Sequence, residues 1–271
     1  MAFSYEELAE IRHYIHQHPE LSGQEYQTTA FLKERLEELG IRILESRLKT
    51  GLIAEIGSGQ PVVALRADID ALPILEQTNL PYQSQNPGVM HACGHDFHQT
   101  SLLGAAALLK EKEDQLEGTV RLIFQPAEEI SEGASDVLAT GLLEDVQGII
   151  GFHNIPQLKA GQLALNAGAM MAGVEKFKVT VTGVSSHAAR PDLGVDTVTA
   201  VTTMVQNVQL LISRTVSPFE TAVLSITHLD VGSTWNVLPK SGYFEGTIRS
   251  FNPSVQRELK EHFISIIRHI A

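Results

Sequence analysis

In residues 1–167, segments whose apolar residues recur at helical spacing alternate with short continuous apolar runs. Ser4 and Glu7 form a capping-box pattern, and the apolar positions after them recur three and four residues apart, which predicts a helix to about residue 18. Further helices are predicted at about 24–39 and at about 96–112, the second with Asp96 as its N-cap. Short apolar runs between the helices predict strands at 41–44, 52–56, 62–67, 118–125 and 148–152. This order of elements indicates an α/β sheet.

The pattern changes near Gly168. Apolar and polar residues alternate in three later segments, as in the half-exposed strands of an antiparallel sheet: 177–181, 222–229 and 243–249. Apolar residues at helical spacing predict a helix at about 198–212 and a last helix that begins at Asn252-Pro253. The order β-α-β-β-α is that of a ferredoxin-like α+β unit without its final strand. The chain then ends without a capping signal, and we expect a truncated chain or one completed by another polypeptide.

Composition and charge narrow the class of protein. The chain has 271 residues, 43% hydrophobic and 19% charged, which is typical of a soluble globular protein with one large or two ordinary domains. A net charge of −12 without a cluster of lysine and arginine argues against binding of nucleic acid or of an anionic membrane. The N-terminus lacks the pattern of a signal peptide, and no apolar run reaches the roughly 20 residues that span a bilayer. We therefore expect a cytoplasmic protein.

A cluster of metal-ligand residues precedes the third predicted helix. Residues 88–98 (GVMHACGHDFH) hold three of the eleven histidines and the only cysteine, so Cys93 has no intrachain disulfide partner. Thiolate and imidazole bind zinc and similar divalent ions, and the glycine between Cys93 and His95 lets both side chains point to one centre. Two other interpretations stay open here. In one, Cys93 is a buried structural residue; in the other, it is a thiol nucleophile with a histidine partner.

Four other candidate residues stand at or just after the carboxyl ends of predicted strands: Asp68, Glu128, Glu129 and His153. In open α/β sheets these ends lie along one edge, where functional sites form. We therefore expect these side chains to meet the loop that carries Cys93 and His95. Each has an alternative interpretation. Asp68 could form a turn before Pro73, Glu128 and Glu129 could be a solvated pair, and His153 could be a buried structural histidine.

Cysteine, two histidines and a carboxylate form a ligand set for one or two divalent ions. Two ions about 3.5–4 Å apart hold a water molecule and lower its pKa from about 15.7 toward about 7, so hydroxide forms at neutral pH. Two adjacent glutamates suit different tasks, because one can bind metal while the other takes the proton of the water and later protonates a leaving amine. Asp68 would orient one of the ligands.

Motifs spread over the whole chain resemble those of the M20 family of metal-dependent amidohydrolases and peptidases. The resemblance is to the branch of N-acyl-amino-acid amidohydrolases that includes hippurate hydrolases, indole-acetyl-amino-acid hydrolases and N-acetyldiaminopimelate deacetylases. The motifs are HPELS at 18–22, LRADIDALP at 65–73, MHACGHD at 90–96, FQPAEE at 124–129, GFH at 151–153, SHAA at 186–189 and NVLP at 236–239. Together they are highly specific to the family, although no single one is.

The resemblance implies a fold and a reaction. It implies an α/β catalytic domain of the phosphorylase/hydrolase type over 1–167. A ferredoxin-like α+β lid domain over 168–271, which lacks its last strand, would form a homodimer. The implied reaction is hydrolysis of the amide bond of an N-acyl amino acid or a small peptide-like substrate by metal-activated water. The implied metal ligands are Cys93, His95, Glu129 and His153.

The resemblance also implies roles for three residues outside the ligand set. Glu128 is the general base and acid, and His187 on the lid domain polarises the scissile carbonyl or holds the oxyanion, often in the site of the partner subunit. Asn236 contacts substrate. Among divalent ions the cysteine favours zinc, with manganese, cobalt and nickel as alternatives. The acyl group and the amino acid are not specified, because specificity depends on the shape of the pocket.

The chain departs from the family pattern in two places. Relatives commonly have Pro-His where this chain has Pro191-Asp192, which would alter substrate contacts at the lid. Relatives also complete the lid with a further strand and supply one more histidine ligand beyond the segment present here. A truncated or non-catalytic relative that acts as a dimerising or ligand-binding module is therefore a second hypothesis, and a cysteine hydrolase that uses Cys93 and His95 is a third.

Overall fold

The protein divides into two compact units, Met1–Ala160 and Gly161–Ala271, in a computed structural model that describes residues 3–271. The domain border expected from the sequence, between residues 167 and 168, lies a few residues further along the chain. No helix within the described range combines the length and the apolar character needed to cross a membrane.

The first unit packs helices on a five-stranded mixed sheet, and the predicted mixed α/β fold is confirmed. Its helices are α1 (Tyr5–Gln17), α2 (Tyr26–Glu38), α3 (His95–Lys110) and α4 (Gly133–Ala139). Its strands are β1 (Arg42–Leu44), β2 (Leu52–Gly57), β3 (Val62–Asp68), β4 (Thr119–Gln125) and β5 (Val146–Gly151). The strand order is β1-β2-β4-β3-β5. Strands β3, β4 and β5 run parallel to one another, β2 pairs antiparallel with β4, and β1 pairs antiparallel with β2.

The three parallel strands end at the same edge of this sheet. Asp68, the last residue of β3, pairs with Gln125, the last residue of β4, and Arg66 pairs with Gly151 at the end of β5. The loops that follow these strands therefore begin side by side, as the sequence pattern predicts.

The hydrophobic core of the first unit lies between the helices and the sheet. Leu32 and Leu36 of α2, Leu103 of α3 and Leu122 and Phe124 of β4 are fully buried in one cluster. Burial of an apolar side chain of this size stabilises the fold by about 1.5–3 kcal/mol. This packing holds α3 and β4, and therefore the loops next to them, in fixed positions.

Helix α3 does not begin as predicted. The N-cap position is held by Gly94, in a left-handed conformation with φ of 90°, and Asp96 lies inside the first turn. The predicted N-cap role of Asp96 is wrong because its carboxylate pairs with α1. It accepts hydrogen bonds from Arg12 Nε at 3.0 Å and, at 2.9 Å, from His16 Nδ1.

The second unit contains a three-stranded antiparallel sheet of order β6-β10-β8 and a two-stranded ladder of β7 and β9. Its elements are β6 (Gly173–Thr182), β7 (Ser186–His187), α5 (Thr197–Thr215), β8 (Ala222–Val231), β9 (Val237–Leu238), β10 (Ser241–Ser250) and α6 (Pro253–Ile270). The buried residues of both helices and of the sheet form one core that includes Val201, Val208, Phe244, Leu259 and Phe263.

The predicted helix starts are confirmed at both ends of the chain. The Ser4 hydroxyl accepts a hydrogen bond from Glu7 N–H at 3.2 Å, and Ser4 N–H donates to the Glu7 carboxylate at 2.7 Å, which completes the capping box of α1. Asn252 caps α6 by accepting a hydrogen bond from Ser254 N–H at 3.0 Å. Such caps stabilise a helix because its first N–H groups have no partner within the helix.

Candidate metal centre

Three loops bring metal-ligand side chains together at the carboxyl edge of the first sheet. Cys93 lies in the loop before α3, and His95 is the first residue of α3. The loop after β4 carries Glu128 and Glu129, and the segment after β5 carries His153. Ligand atoms of Cys93, His95 and His153 lie within 4.8 Å of one another, as do those of His95, Glu128 and Glu129. The two groups share His95 and form one continuous cluster.

Individual distances define the centre of this cluster. Cys93 Sγ lies 3.4 Å from His153 Nε2. His95 Nε2 lies 3.8 Å from Glu129 Oε1 and 4.0 Å from Glu128 Oε2. Cys93 Sγ and His153 Nε2 are thus within hydrogen-bonding distance, whereas His95 Nε2 faces the two carboxylate oxygens without a hydrogen bond to either.

Two of these atoms are buried without a hydrogen-bond partner among the described residues, namely His95 Nε2 and Glu129 Oε1. A buried polar atom without a partner costs about 1–3 kcal/mol, so such atoms are rare unless they serve a function. An imidazole nitrogen and a carboxylate oxygen beside a thiol are the donor types that zinc prefers. The residues present therefore fit a divalent ion.

Hydrogen bonds behind the cluster orient His95. His95 Nδ1 lies 2.9 Å from the Asp70 carbonyl oxygen, and donation to this oxygen leaves Nε2 free to face the cluster. Asp70 Oδ2 accepts hydrogen bonds from Glu129 N–H at 2.9 Å and from the Ser22 hydroxyl at 2.6 Å. Asp70 therefore connects the segment of His95 to the segment of Glu129. Sequence reasoning missed this residue, although it lies two positions after Asp68 in the same loop.

The loop that carries the two glutamates is anchored by Glu25, the residue before α2. Ala127, the residue before Glu128, has a left-handed φ of 50°, which is uncommon for a residue with a side chain. Its N–H donates a hydrogen bond to Glu25 Oε1 at 2.8 Å, and Glu25 Oε2 accepts a hydrogen bond from the Thr50 hydroxyl at 2.7 Å. Glu25 is fully buried. Sequence reasoning missed Glu25, and a carboxylate directly before a helix gives no signal of a contact so distant in sequence.

The electrostatic surroundings of the cluster are negative. Burial raises the pKa of the Cys93 thiol to about 12, with further contributions from Glu129 and Glu128. Burial and the negative charges of Glu129 and Asp68 also raise the pKa of Glu128. Thiolate and carboxylates are thus disfavoured side by side, and a divalent cation would relieve their repulsion.

Asp68 is buried beside the cluster. Burial alone would raise its pKa, but the hydrogen bond from His98 and the neighbouring His95 and Arg66 outweigh burial and lower the pKa. One oxygen lies 2.6 Å from His98 Nδ1, and the other lies 2.6 Å from Arg66 Nη1 and 3.6 Å from His95 Nε2. These contacts are more extensive than those expected of a turn-forming aspartate.

His187 and Asn236 lie in the second unit. His187 is in β7, which pairs with β9, and Asn236 directly precedes β9; Ala188 N–H donates a hydrogen bond to the Asn236 carbonyl at 3.0 Å. Ala189 N–H donates to His187 Nδ1 at 3.1 Å, so a neutral His187 ring carries its proton on Nε2. Asp192 forms a two-point pair with Arg190 at 2.9 and 2.7 Å.

Comparison with known proteins supports the family resemblance. Residues 64–258 match the model of peptidase family M20/M25/M40. The chain is 46% identical over 267 residues to the N-acetyl-L-cysteine deacetylase of Bacillus subtilis, which covers 98% of this chain and 64% of that protein. It is 45% identical over 267 residues to an N-acetylcysteine deacetylase of the same bacterium, which covers 97% of this chain and 70% of that protein.

A solved structure agrees with these matches. The crystal structure of a dinuclear metal-binding peptidase of the M20 family from Bacillus subtilis superposes with a TM-score of 0.80 at 43% identity, over 97% of this chain and 69% of that chain. The chain thus spans roughly two thirds of the length of the relatives it matches. The predicted resemblance is confirmed, and the chain belongs to peptidase family M20/M25/M40.

Proposed function

We propose that this protein is a metal-dependent amidohydrolase that cleaves the amide bond of N-acyl amino acids or small peptide-like substrates. The observation that carries the proposal is the convergence of thiol, imidazole and carboxylate donors at one edge of the sheet. The two deacetylases of N-acetylcysteine among its relatives support the substrate class. A soluble small molecule is therefore the expected substrate, and the acyl group is to be found with a panel of N-acyl amino acids.

We assign Cys93, His95, Glu129 and His153 as the ligands of one or two divalent ions. The thiol favours zinc, and manganese, cobalt and nickel are the alternatives. A dinuclear relative supports the presence of two ions. When bound, the ions supply a Lewis acid and lower the pKa of a water molecule.

Glu128 is the general base and acid in this proposal. Its side chain is 41% exposed and its Oε2 lies 4.0 Å from His95 Nε2, so it borders the ligand cluster and remains open to solvent. The raised pKa of Glu128 suits a group that takes a proton from water and returns it to the departing nitrogen. Asp68 acts from behind the cluster, on the His95 side.

The second unit carries the roles that the family resemblance implies for a lid. We propose that it is a ferredoxin-like lid and dimerisation domain and that the protein forms a homodimer through it. His187 would donate its Nε2 proton to the carbonyl oxygen and so stabilise the oxyanion, because Nδ1 is already an acceptor. Asn236, which directly precedes β9 and accepts a hydrogen bond from Ala188 N–H, would contact substrate.

The cysteine hydrolase hypothesis pairs Cys93 with His95, but the histidine nitrogen within hydrogen-bonding distance of Cys93 Sγ is Nε2 of His153, at 3.4 Å. The surroundings argue against it. A nucleophile must be a thiolate, and the pKa of Cys93 is raised to about 12 beside two glutamates. Without a cation this cysteine stays protonated, whereas a metal ion would stabilise its thiolate as a ligand.

Substitution of Glu128 by glutamine tests the proposal. The amide cannot accept the proton of water, so Glu128→Gln should lower hydrolysis of the responsive N-acyl amino acid by about 10²–10⁴-fold. The metal content per chain, measured by elemental analysis of the full gene product, should stay at the level of the unmodified protein.

Glu132→Gln is the matched control. Glu132 lies in the same loop, is exposed, and makes no side-chain cap to α4, so this variant should keep both activity and metal. Near-normal turnover by Glu128→Gln would remove Glu128 from its role. Full activity after removal of all metal would overturn the proposed mechanism.

A further inference from the structure

His98 lies one helical turn after His95 on α3 and is almost completely buried. Both of its ring nitrogens are hydrogen-bonded. Nδ1 lies 2.6 Å from Asp68 Oδ1, and Nε2 accepts a hydrogen bond from the backbone N–H of Asn154 at 2.8 Å. The ring thus links the end of β3 to the segment after β5, which carries His153.

These partners determine which ring nitrogen of His98 carries the proton. Nε2 must offer a lone pair because an amide N–H points at it, and the Asp68 carboxylate, 2.6 Å from Nδ1, is an acceptor. The proton therefore lies on Nδ1 and is donated to Asp68. The ligand atoms of Asp68, His95 and His98 lie within 4.8 Å of one another, but neither nitrogen of His98 is free to bind a metal ion.

Asn154 connects His98 to His153 through its backbone N–H and C=O groups. The carbonyl oxygen of Asn154 lies 2.8 Å from His153 Nδ1, so that nitrogen donates a hydrogen bond and Nε2 keeps its lone pair toward Cys93 Sγ. The N–H of the same residue is held by His98. The rings of His98 and His153 also meet edge to face, with centroids 4.9 Å apart.

We propose that His98 is a positioning residue that fixes, through the Asn154 backbone, the orientation and the Nδ1–H tautomer of His153. This rests on the proposed function in one respect, namely that His153 is a metal ligand. A ligand imidazole needs its second nitrogen hydrogen-bonded in order to present the first, and loss of such support typically weakens metal binding by about 10–100-fold. Neither His98 nor Asn154 touches the metal in this arrangement.

Two variants of His98 distinguish its hydrogen bond to Asp68 from its hydrogen bond to the Asn154 N–H. His98→Asn places an amide donor near the position of Nδ1 and keeps the bond to Asp68, but it does not reach Asn154. His98→Gln extends a carbonyl oxygen to about the position of Nε2 and keeps an acceptor for the Asn154 N–H. We expect His98→Asn to bind zinc about 10–100-fold more weakly than the unmodified protein and His98→Gln to recover most of that loss.

A spectroscopic readout on the metal-free full-length protein distinguishes positioning from general destabilisation. The ¹⁵N shifts of the imidazole nitrogens should show Nδ1–H for both His98 and His153 in the unmodified protein. His153 should populate both tautomers in His98→Asn and only Nδ1–H in His98→Gln. His16→Asn is the matched control, because His16 is a buried, hydrogen-bonded histidine outside this chain of contacts, and it should leave the His153 signals unchanged.

The outcomes separate this inference from the proposed function. If the unmodified protein shows an Nε2–H tautomer for His98, the inference is overturned without any variant, even if both variants fail to fold. It is also overturned if His98→Asn leaves the His153 tautomer and the zinc affinity unchanged. If the tautomers follow His98 as expected but the unmodified protein binds no divalent ion, the positioning role stands and the metal proposal fails.

Discussion

Glu25 shows how much a single buried residue contributes to this site. Its two carboxylate oxygens hold the Ala127 N–H and the Thr50 hydroxyl, and no part of it reaches solvent. Because Ala127 adopts a left-handed conformation directly before Glu128, the Glu25 contact sets where the two glutamates point. The stability of the loop and the geometry of the site therefore depend on the same hydrogen bond.

Replacement of Glu25 tests this dependence. Glu25→Ala leaves a buried N–H and a hydroxyl without their acceptor and should lower the free energy of unfolding by about 1–3 kcal/mol. Glu25→Gln keeps an acceptor for Ala127 and should lose less than half as much. Urea denaturation gives the two values, and zinc content should fall only in Glu25→Ala. An equal loss in both variants would show that the hydrogen bond to Ala127 is not what matters.

At the residue scale the sequence predicts the ligand candidates but not their supports. Cys93, His95 and His153 stand out because thiol and imidazole have few other reasons to cluster beside strand ends. Asp70, Glu25 and His98 were missed as members of the site because their contacts join segments far apart in the chain. The local sequence around each of these residues does not indicate contacts with such distant segments.

At the element scale, α1 and α3 are joined by polar contacts as well as by the core. Arg12 and His16 of α1 both donate to Asp96, and His16 Nε2 lies 3.2 Å from the Glu76 carboxylate. This explains why local reasoning on Asp96 fails. An aspartate near a helix start is usually a cap, but tertiary pairing with α1 uses the carboxylate here, and Gly94 takes the cap position.

The contact between His16 and Asp96 predicts a pH-dependent stability. The hydrogen bond to Asp96 raises the pKa of His16 against the opposing effect of burial, and Glu76 adds to the increase. A raised folded-state pKa stabilises the protein fully below the unfolded pKa of about 6.5, and this stabilisation is lost as the pH rises through the folded-state pKa. His16→Asn removes the titrating group.

We therefore expect the difference in free energy of unfolding between the unmodified protein and His16→Asn to be about 1–3 kcal/mol near pH 6. The difference should shrink steadily toward pH 9, because neutral histidine loses its charge attraction to Asp96 and Glu76. Urea denaturation at a series of pH values measures both proteins. A difference that is constant over this range, or that grows with pH, would contradict the assignment.

At the scale of the whole molecule, hydrophobic patterning predicts the two architectures well. Continuous apolar runs become a mixed sheet with parallel strands at β3, β4 and β5, and alternating runs become the antiparallel sheet of the second unit. Strand order is not contained in that patterning, because pairing depends on contacts between segments that are distant in sequence. The common edge of β3, β4 and β5 is nevertheless expected from the rule for parallel sheets, and that edge carries the candidate metal centre.

The central claim is that this edge holds a divalent metal ion through four named side chains. Anomalous X-ray diffraction from crystals of the metal-loaded full gene product, at the absorption edge of the metal it contains, locates the ion directly. We predict one or two peaks about 2.0–2.3 Å from Cys93 Sγ, the Nε2 atoms of His95 and His153, and a Glu129 carboxylate oxygen. Peaks held instead by Asp68 and His98, or no peak at these ligands in protein that hydrolyses N-acyl amino acids, would contradict the account.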